Sequence, residues 1–323
     1  MMYLIVLVSL VVILAAYFKL ADHYNIIDKP NERSSHTAIT IRGGGIVFPI
    51  SIILWVLFTN VQLGPFVIGL CLISIISFLD DCITLSNKLR ISIHILSVGL
   101  LLSELGFSDY SLLIWAIGFI LIIGWVNAFN FMDGINGMTV LYALSVLVSG
   151  FYINMQFAFI ELSLIEYTML GLIVFGFYNV RKKAKTFAGD VGSVSMAFIL
   201  AFVIVSLLIK SLNWQYVLLV SVYGIDTVVT IVQRLTRKEN IFKAHRSHLY
   251  QYLANEAKCT HVWVSSIYAI IQLILNAGLV FYIIPNNNHL IAFVYLGLQG
   301  GIYLWVKLSL MKRLNINTNP YNA

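Results

Sequence analysis

Long runs of apolar residues dominate this sequence and limit the fold more tightly than any other feature. A helix needs roughly 20 apolar residues to cross a bilayer, and about eleven runs approach that length. They cover approximately 2–20, 44–60, 64–79, 91–104, 111–128, 138–155, 160–178, 193–210, 214–232, 261–284 and 289–308. Because 60% of the residues are hydrophobic and only 11% charged, a soluble core is a poor explanation. The sequence predicts one all-α membrane-embedded domain, 1–323, a polytopic helix bundle.

Basic residues between these runs fall almost entirely on one side of the membrane. If the N-terminus lies outside the cytoplasm, nineteen of the twenty Lys and Arg residues belong to the opposite face, and only Lys210 does not. The positive-inside rule makes that face cytoplasmic and puts the C-terminus there. The net charge of +6 then reflects loop location, so no nucleic-acid partner is expected. Residues 1–18 have no basic residue in front, so the first run is expected to remain as a span.

Acidic residues also gather on the basic face, although the positive-inside rule does not draw them there. Ten of the fourteen Asp and Glu residues belong to it or lie towards it. The loops of this face are therefore the candidate active-site loops. They are expected at about 21–43, 80–90, 129–137, 179–192 and 233–260.

Two of the polar clusters contain closely spaced acids and amides. In "FLDDCITLSNKLR", 78–90, the adjacent Asp80 and Asp81 repel each other unless a cation or water is near; a plain polar stop after a helix is the alternative. In "NAFNFMDGINGM", 127–138, Asn130, Asp133 and Asn136 recur every three residues, so a helical turn would put them on one face. An ordinary Asn/Gly turn is the alternative for this stretch.

Two further clusters suit anions. In "KTFAGDVGSVSMAF", 185–198, Asp190 stands where a span begins; a helix N-terminus favours anions and a carboxylate can hold a divalent ion. Simple helix capping is the alternative. In "KAHRSHLYQYL", 243–253, His245 and His248 flank Arg246, which suits phosphate oxygens, whereas a solvated basic loop is the alternative. Carboxylates and basic groups on one face are typical of displacement at phosphorus.

Asp226 differs from these residues because it lies within a predicted span, about two helical turns before Arg234. An acid inside the membrane is costly and is presumed functional. The alternative is a helix-packing hydrogen bond with Thr227 or a neighbour.

As a set, the motifs resemble the polyprenyl-phosphate N-acetylhexosamine-1-phosphate transferases, bacterial glycosyl transferase family 4. The resemblance runs from about residue 28 to residue 253. It rests on "DKPNERSSHT…IRGGG" at 28–45, the Asp pair with Lys88, "NFMDGING", "GDVGS" and the histidine loop. "HRSHLYQ" is most similar to the O-antigen-initiating branch that uses UDP-6-deoxy-N-acetylhexosamines such as UDP-FucNAc or UDP-QuiNAc. Asn136 departs from the aspartate of many members.

The resemblance implies a Mg2+-dependent reaction, with Mn2+ as a substitute. An N-acetylhexosamine 1-phosphate would pass from a UDP-sugar to undecaprenyl phosphate, releasing UMP and initiating O-antigen or another surface polysaccharide. The protein would be a multi-pass protein of the bacterial inner membrane, with a periplasmic N-terminus and its active site on the cytoplasmic face. A homodimer is a further expectation.

The resemblance also assigns roles to residues. Asp80, Asp81, Lys88 and Asp133 would be catalytic; Asn130, Asn136, His245, Arg246 and His248 would bind the donor; Asp190 would hold the metal ion; and His36, Arg42 and Asp226 are further candidates.

Two questions stay open at the level of sequence. The acceptor phosphate is already largely dianionic at neutral pH, with a second pKa of about 6, which favours its direct attack on the donor. A covalent aspartyl-phosphate intermediate is the rival. The alternative from another class of protein is a secondary transporter, for which many spans and an intramembrane acid are ordinary.

Overall fold

The computed structural model describes residues 1–28, 39–241 and 245–316, and these ranges are mostly helical. The first helices are α1 Met2–His23, α2 Val47–Thr59, α3 Pro65–Cys82, α4 Asn87–Glu104, α5 Leu112–Met132, α6 Met138–Gln156 and α7 Leu162–Asn179. The chain continues with α8 Gly189–Ser211, α9 Ser221–Thr236, α10 Leu249–Gln251, α11 His261–Gly278, α12 Ile284–Asn286 and α13 His289–Arg313. Two short strands, β1 Ile27–Asp28 and β2 Thr40–Ile41, pair antiparallel. The predicted all-α polytopic fold is confirmed.

Each of the eleven predicted runs coincides with a helical segment. In the described part of the chain, nine of these segments are long and apolar enough to cross a bilayer. The run at 44–60 forms the shorter apolar helix Gly44–Thr59. The run at 91–104 lies in α4, whose first turn carries Lys88 and Arg90 and is therefore polar. The protein is a multi-pass membrane protein, while the count of eleven crossings and the side of each terminus stay predictions.

The loops of the candidate site are shorter than predicted, because several helices continue into them. Asp80 and Asp81 lie in the last turn of α3, and Asp190 lies in the first turn of α8. Asn130 is still helical, whereas 133–137 is not, so the helical-turn argument for this motif is wrong. Gly137, with φ of 84°, makes the turn into α6. The polar groups thus stand at helix ends.

Helix α8 lies at the centre of the bundle, and its first turn is therefore held on several sides. In the most apolar stretch of 18 residues in α8, 78% of the residues are buried, whereas the corresponding share in α13 is 11%. Its residues are apolar or small all round, as in Ser193, Ser195 and Ala197, which permits close packing of neighbours. A central α8 gives the "GDVGS" motif little freedom to move.

The "IRGGG" motif packs directly on the start of α8. The backbone N–H groups of Gly44 and Gly45 donate to the carbonyls of Phe187 and Ala188 at 2.9 and 3.0 Å. A Cβ added to Gly45 would lie 2.3 Å from the Cα of Gly192. Only glycine permits this approach of two backbones, which places Arg42 beside the first turn of α8.

We expect Gly45→Ala to lower the thermal unfolding temperature and the turnover together. Overpacking at this close contact costs about 1–3 kcal/mol of stability. The strain can be relieved only if the backbone around Gly45 moves away from α8, which would also move Arg42 away from it. Gly224→Ala is the matched control, because a Cβ there meets nothing within 4 Å. Differential scanning fluorimetry of detergent-purified variants measures the difference. Equal unfolding temperatures for the two variants would contradict the close contact.

Candidate active site

A polar cavity opens at the end of the bundle where the sequence motifs meet. Its volume is about 330 Å³. Among the residues that line it are Asp28, Arg42, Asn130, Asp133, Asn136, Asn179, Asp190, Gln251 and His261. The motifs around residues 42, 130 and 190, far apart in the chain, therefore share one cavity.

Asp81 fastens the first turn of α8. Its Oδ1 and Oδ2 accept hydrogen bonds from the backbone N–H groups of Asp190 and Val191, at 2.9 and 3.0 Å. Its Oδ1 also lies 2.7 Å from Nε of Arg42, and the Asp81 side chain is fully buried. The carboxylate thus satisfies two of the N–H groups that a helix start leaves without partners. The structure gives Asp81 a positional task.

Asp190 is held more loosely than Asp81. Its carboxylate oxygens lie 3.3 Å from Arg42 and 3.5 Å from Arg90, and 19% of its side chain is exposed. Asp80 makes the tighter pair with Arg90, at 2.8 Å, and accepts a hydrogen bond from the Leu85 N–H at 2.9 Å. Two arginines therefore lie among three aspartates, and of these three described carboxylates Asp190 lines the cavity.

Arg90 is a site residue that the sequence argument passed over in favour of Lys88. Both lie in the first turn of α4, but Lys88 is exposed and Arg90 turns towards Asp80 and Asp190. The signal was present in the quoted stretch, which ends in Leu-Arg. A contact between Lys88 and a phosphate stays a prediction.

The 130s motif supplies the opposite wall of the cavity. Asn130 Oδ1 accepts a hydrogen bond from Ser193 Oγ at 2.6 Å, which ties α5 to α8. Asp133 Oδ1 accepts one from Thr139 Oγ1 at 2.5 Å. Burial raises the pKa of the Asp133 carboxyl to about 6, and the Thr139 hydrogen bond opposes the rise. Both residues line the cavity.

Asn136 is buried, and its hydrogen-bond partners lie on distant segments of the chain. Its Nδ2 donates to the Arg181 carbonyl at 2.9 Å, and its own carbonyl accepts from Ser265 Oγ at 2.7 Å. Asn179, which sequence reasoning missed, accepts from the Gly137 N–H at 2.7 Å and donates to the Thr186 carbonyl at 2.9 Å. The two amides therefore connect the segments that form this wall of the cavity. The sequence signal for Asn179 was its position at the end of an apolar run.

The histidine loop packs beside this wall. The ring centroids of His245 and His248 are 5.0 Å apart, and His245 lies 6.0 Å from Phe131. Burial lowers the pKa of His245 to about 4, so His245 is a neutral imidazole near pH 7. Arg246 is half-buried between them. Nδ1 of His248 lies 2.8 Å from Oδ1 of Asp226. His36 lies outside the described residues.

Hard oxygen ligands are available in the cavity, but a complete protein cage for a metal ion is not. Among the described residues, no three His, Cys, Asp or Glu side chains converge on one point. Mg2+ commonly binds through one or two carboxylates, keeps several waters and takes its remaining ligands from substrate phosphates. Asp190 and Asp133 both line the cavity, so the residues present fit that mode of binding.

A multi-pass bundle with carboxylates, arginines and a polar cavity at one end is typical of membrane enzymes that act on phosphates. Glycosyl transferase family 4 matches residues 63–208. The "Probable undecaprenyl-phosphate N-acetylglucosaminyl 1-phosphate transferase" of Bacillus subtilis (strain 168) is 26% identical, with 78% of this chain and 76% of the relative covered. The "Undecaprenyl-phosphate alpha-N-acetylglucosaminyl 1-phosphate transferase" of Yersinia pestis is also 26% identical, over 73% of this chain and 71% of the relative.

A shorter match adds a second branch of relatives. The "Phospho-N-acetylmuramoyl-pentapeptide-transferase" of Lactococcus lactis subsp. cremoris (strain MG1363) is 32% identical over 148 residues, covering 44% of this chain and 40% of the relative. The chain is similar over most of its length to undecaprenyl-phosphate N-acetylglucosaminyl 1-phosphate transferases, and these matches support its assignment as a glycosyl-1-phosphate transferase.

Proposed function

We propose that this enzyme transfers an N-acetylhexosamine 1-phosphate from a UDP-sugar to undecaprenyl phosphate, releasing UMP, at the cytoplasmic face of the bacterial inner membrane. The observation that carries the proposal is the meeting of Asp80, Asp81 and Asp190 with Arg42 and Arg90 beside one cavity. The product would initiate O-antigen or another surface polysaccharide. Homodimerisation remains a prediction.

The position of the cluster suits a lipid acceptor. Removing a long polyprenyl chain from the bilayer costs about 0.8 kcal/mol per methylene, so the reacting phosphate stays at the head-group level. The cluster stands at the ends of α3, α4 and α8, where a head group would meet it. A transporter would instead place its ionic residues near the middle of the membrane.

The main barrier to the reaction is electrostatic. Two like unit charges about 4 Å apart repel by about 4 kcal/mol at an effective dielectric of about 20, and both substrates carry several. Arg42 and Arg90 offset two of the three negative charges of Asp80, Asp81 and Asp190, and a divalent ion bound beside Asp190 would supply the positive charge that the substrates need. Because the acceptor is already largely dianionic, it needs no base to remove a proton.

Direct attack by the acceptor is therefore the favoured route. An acceptor phosphate oxygen forms a bond to the phosphorus that bears the sugar, while the bond from that phosphorus to the bridging oxygen breaks and UMP leaves with that oxygen. Asp81 is a poor nucleophile for the rival covalent route, because both of its oxygens are already engaged and its side chain is buried. Trapping a phospho-enzyme with donor alone would reverse this preference.

We assign Mg2+, with Mn2+ as a substitute, to Asp190 and the nearby Asp133. When bound, the ion would neutralise the donor diphosphate. Asn130 and Asp133 line the cavity opposite α8 and would hold the nucleotide sugar. The histidine loop, in which His245 packs against Phe131, would contact the donor through His245, Arg246 and His248. The relatives act on N-acetylglucosamine by name, whereas "HRSHLYQ" favours a 6-deoxy sugar, so the donor is assigned here as a UDP-N-acetylhexosamine.

UMP release tests the proposal. Purified protein in detergent, with Mg2+ and undecaprenyl phosphate, should release UMP from at least one of UDP-GlcNAc, UDP-GalNAc, UDP-FucNAc and UDP-QuiNAc. Undecaprenol is the matched control acceptor and should give no UMP, because it lacks the attacking phosphate. Silence across the panel, with substrate flux in liposomes, would favour a transporter.

A further inference from the structure

Asp226 is fully buried in α9 and has three side-chain partners on three parts of the fold. Its Oδ1 lies 2.8 Å from Nδ1 of His248 and accepts from Thr230 Oγ1 at 3.3 Å. Its Oδ2 accepts from the Tyr268 hydroxyl of α11 at 2.6 Å. Thr227, one of the partners considered in the alternative interpretation, makes no side-chain hydrogen bond within the described ranges. The intramembrane acid therefore faces the histidine loop.

The contact determines how His248 presents its ring. A carboxylate can only accept, so the hydrogen between the two side chains lies on Nδ1 of His248. Nε2 is then the free nitrogen, and it has no hydrogen-bond partner among the described residues although His248 is only 2% exposed. A buried polar atom without a partner calls for a ligand or a water.

A lysine on the last helix balances the buried carboxylate. Lys307 of α13 is fully buried, and its Nζ donates to Thr230 Oγ1 at 2.7 Å. The Thr230 hydroxyl donates in turn to Asp226, which links ammonium to carboxylate. The sequence counted Lys307 among the basic residues of the cytoplasmic face, but it lies between helices. Because these two charges balance, a neutral His248 leaves the buried group without net charge.

The same loop is tied to the cavity. The His248 N–H donates to Oε1 of Gln251, at 3.1 Å, and Gln251 lines the cavity. The Tyr250 hydroxyl donates to the Phe131 carbonyl at 2.8 Å, between the cavity residues Asn130 and Asp133. The loop that Asp226 contacts through His248 is thus hydrogen-bonded to a residue that lines the cavity.

We infer that Asp226 is a positioning residue, which holds the His248 imidazole with Nδ1 protonated and Nε2 presented to a hydroxyl or amide N–H of the nucleotide sugar. The inference rests on the proposed function, in which His248 contacts the donor. A neutral Nε2 carries a lone pair and suits such a donor group better than a phosphate oxygen. Lys307, through Thr230, keeps the carboxylate charged inside the bundle.

A double-mutant cycle tests whether Asp226 acts through His248. His248→Asn removes Nε2 and keeps an amide donor near Asp226, and Asp226→Asn removes the charge. Loss of an orienting partner typically costs about 10- to 100-fold, so each single change should lower kcat/KM for the UDP-sugar by that amount. The double variant should lie within about threefold of the worse single variant. KM for undecaprenyl phosphate should not change.

Thr227→Val is the matched control on the same helix. Thr227 is buried like Asp226, and its hydroxyl has no partner in the described structure, so turnover should stay at the wild-type value. Losses that multiply in the double variant, or a wild-type rate for Asp226→Asn, would overturn the inference.

Charge removal separates positioning from stability. Asp226→Asn leaves Lys307 buried without its counter-charge, so the unfolding temperature should fall. Adding Lys307→Met should recover that temperature but leave kcat/KM low. Recovery of both would assign Asp226 a structural role and overturn the inference. If Asp226→Asn cannot be purified, the cycle is run in the Lys307→Met background.

Different results would overturn the proposed function and the inference about Asp226. A wild-type protein that releases no UMP across the donor panel overturns the proposed function and this inference with it. A wild-type protein that releases UMP, combined with independent effects of Asp226 and His248, overturns only the inference.

Discussion

Asp190→Asn is expected to lower UMP release by at least about a thousandfold, because a metal-binding carboxylate supplies several kcal/mol and each tenfold corresponds to about 1.36 kcal/mol. The unfolding temperature should hardly change. Arg42 keeps its close contact with Asp81, and Arg90 keeps its own with Asp80, when Asp190 loses its charge. Loss of turnover with retained stability is the expected signature, measured by UMP release and scanning fluorimetry.

Asp109→Asn is the matched control for this change. Asp109 is an exposed acid in the short turn Phe107–Asp109, between α4 and α5 at the other end of the bundle. It should keep wild-type turnover. If Asp190→Asn stayed within tenfold of wild type, the assignment of the metal ion to this carboxylate would be wrong.

Asp81→Asn is expected to reduce stability, in contrast to Asp190→Asn. The amide would set its NH2 group against an N–H donor of α8 and leave Arg42 without its closest partner. Breaking a buried pair in this way costs about 3–5 kcal/mol, of which the part-exposed Arg42 would recover a share from water. Turnover should fall at least about tenfold, because the first turn of α8 loses its anchor and each tenfold needs only about 1.36 kcal/mol.

Comparison with Asp80→Asn shows whether Asp81 has a structural or a chemical role. Asp80 is partly exposed and pairs with Arg90, so the stability loss should be smaller than for Asp81→Asn. Unfolding temperature and UMP release are measured for both variants. An Asp81→Asn protein with wild-type stability and no turnover would instead assign Asp81 a chemical role as base or nucleophile.

Much of the candidate site follows from local sequence. Apolar runs of membrane-spanning length predicted the helices, and the helix ends carried the acids, amides and arginines of the cavity. Alternation of the spans put the 42, 81, 130 and 190 motifs at one end. The geometry agrees, since Asp81 reaches Asp190 across 109 residues and Asn130 reaches Ser193 across 63.

Local sequence could not say what each acid does. The adjacent Asp80 and Asp81 are the same residue type in the same motif. Asp80 nevertheless pairs with Arg90 and is partly exposed, whereas the side chain of Asp81 is fully buried against the start of α8. Lys88 and Arg90 are also close in the chain, two residues apart. Their different positions on the first turn of α4 decide that Arg90, and not Lys88, faces Asp80 and Asp190. Successive residues on a helix point in different directions, so packing with distant elements selects between them.

The sequence alone therefore determined the membrane fold, the clustering of motifs at one end of the bundle and the class of chemistry, because hydropathy and residue type are local properties. The tertiary structure decided that Asp190 lines the cavity, that Asp81 bonds the first turn of α8, and that Asp226 contacts His248. Those contacts join segments far apart in the chain. They depend on how α3, α8, α9 and the histidine loop pack together, which residue spacing does not encode.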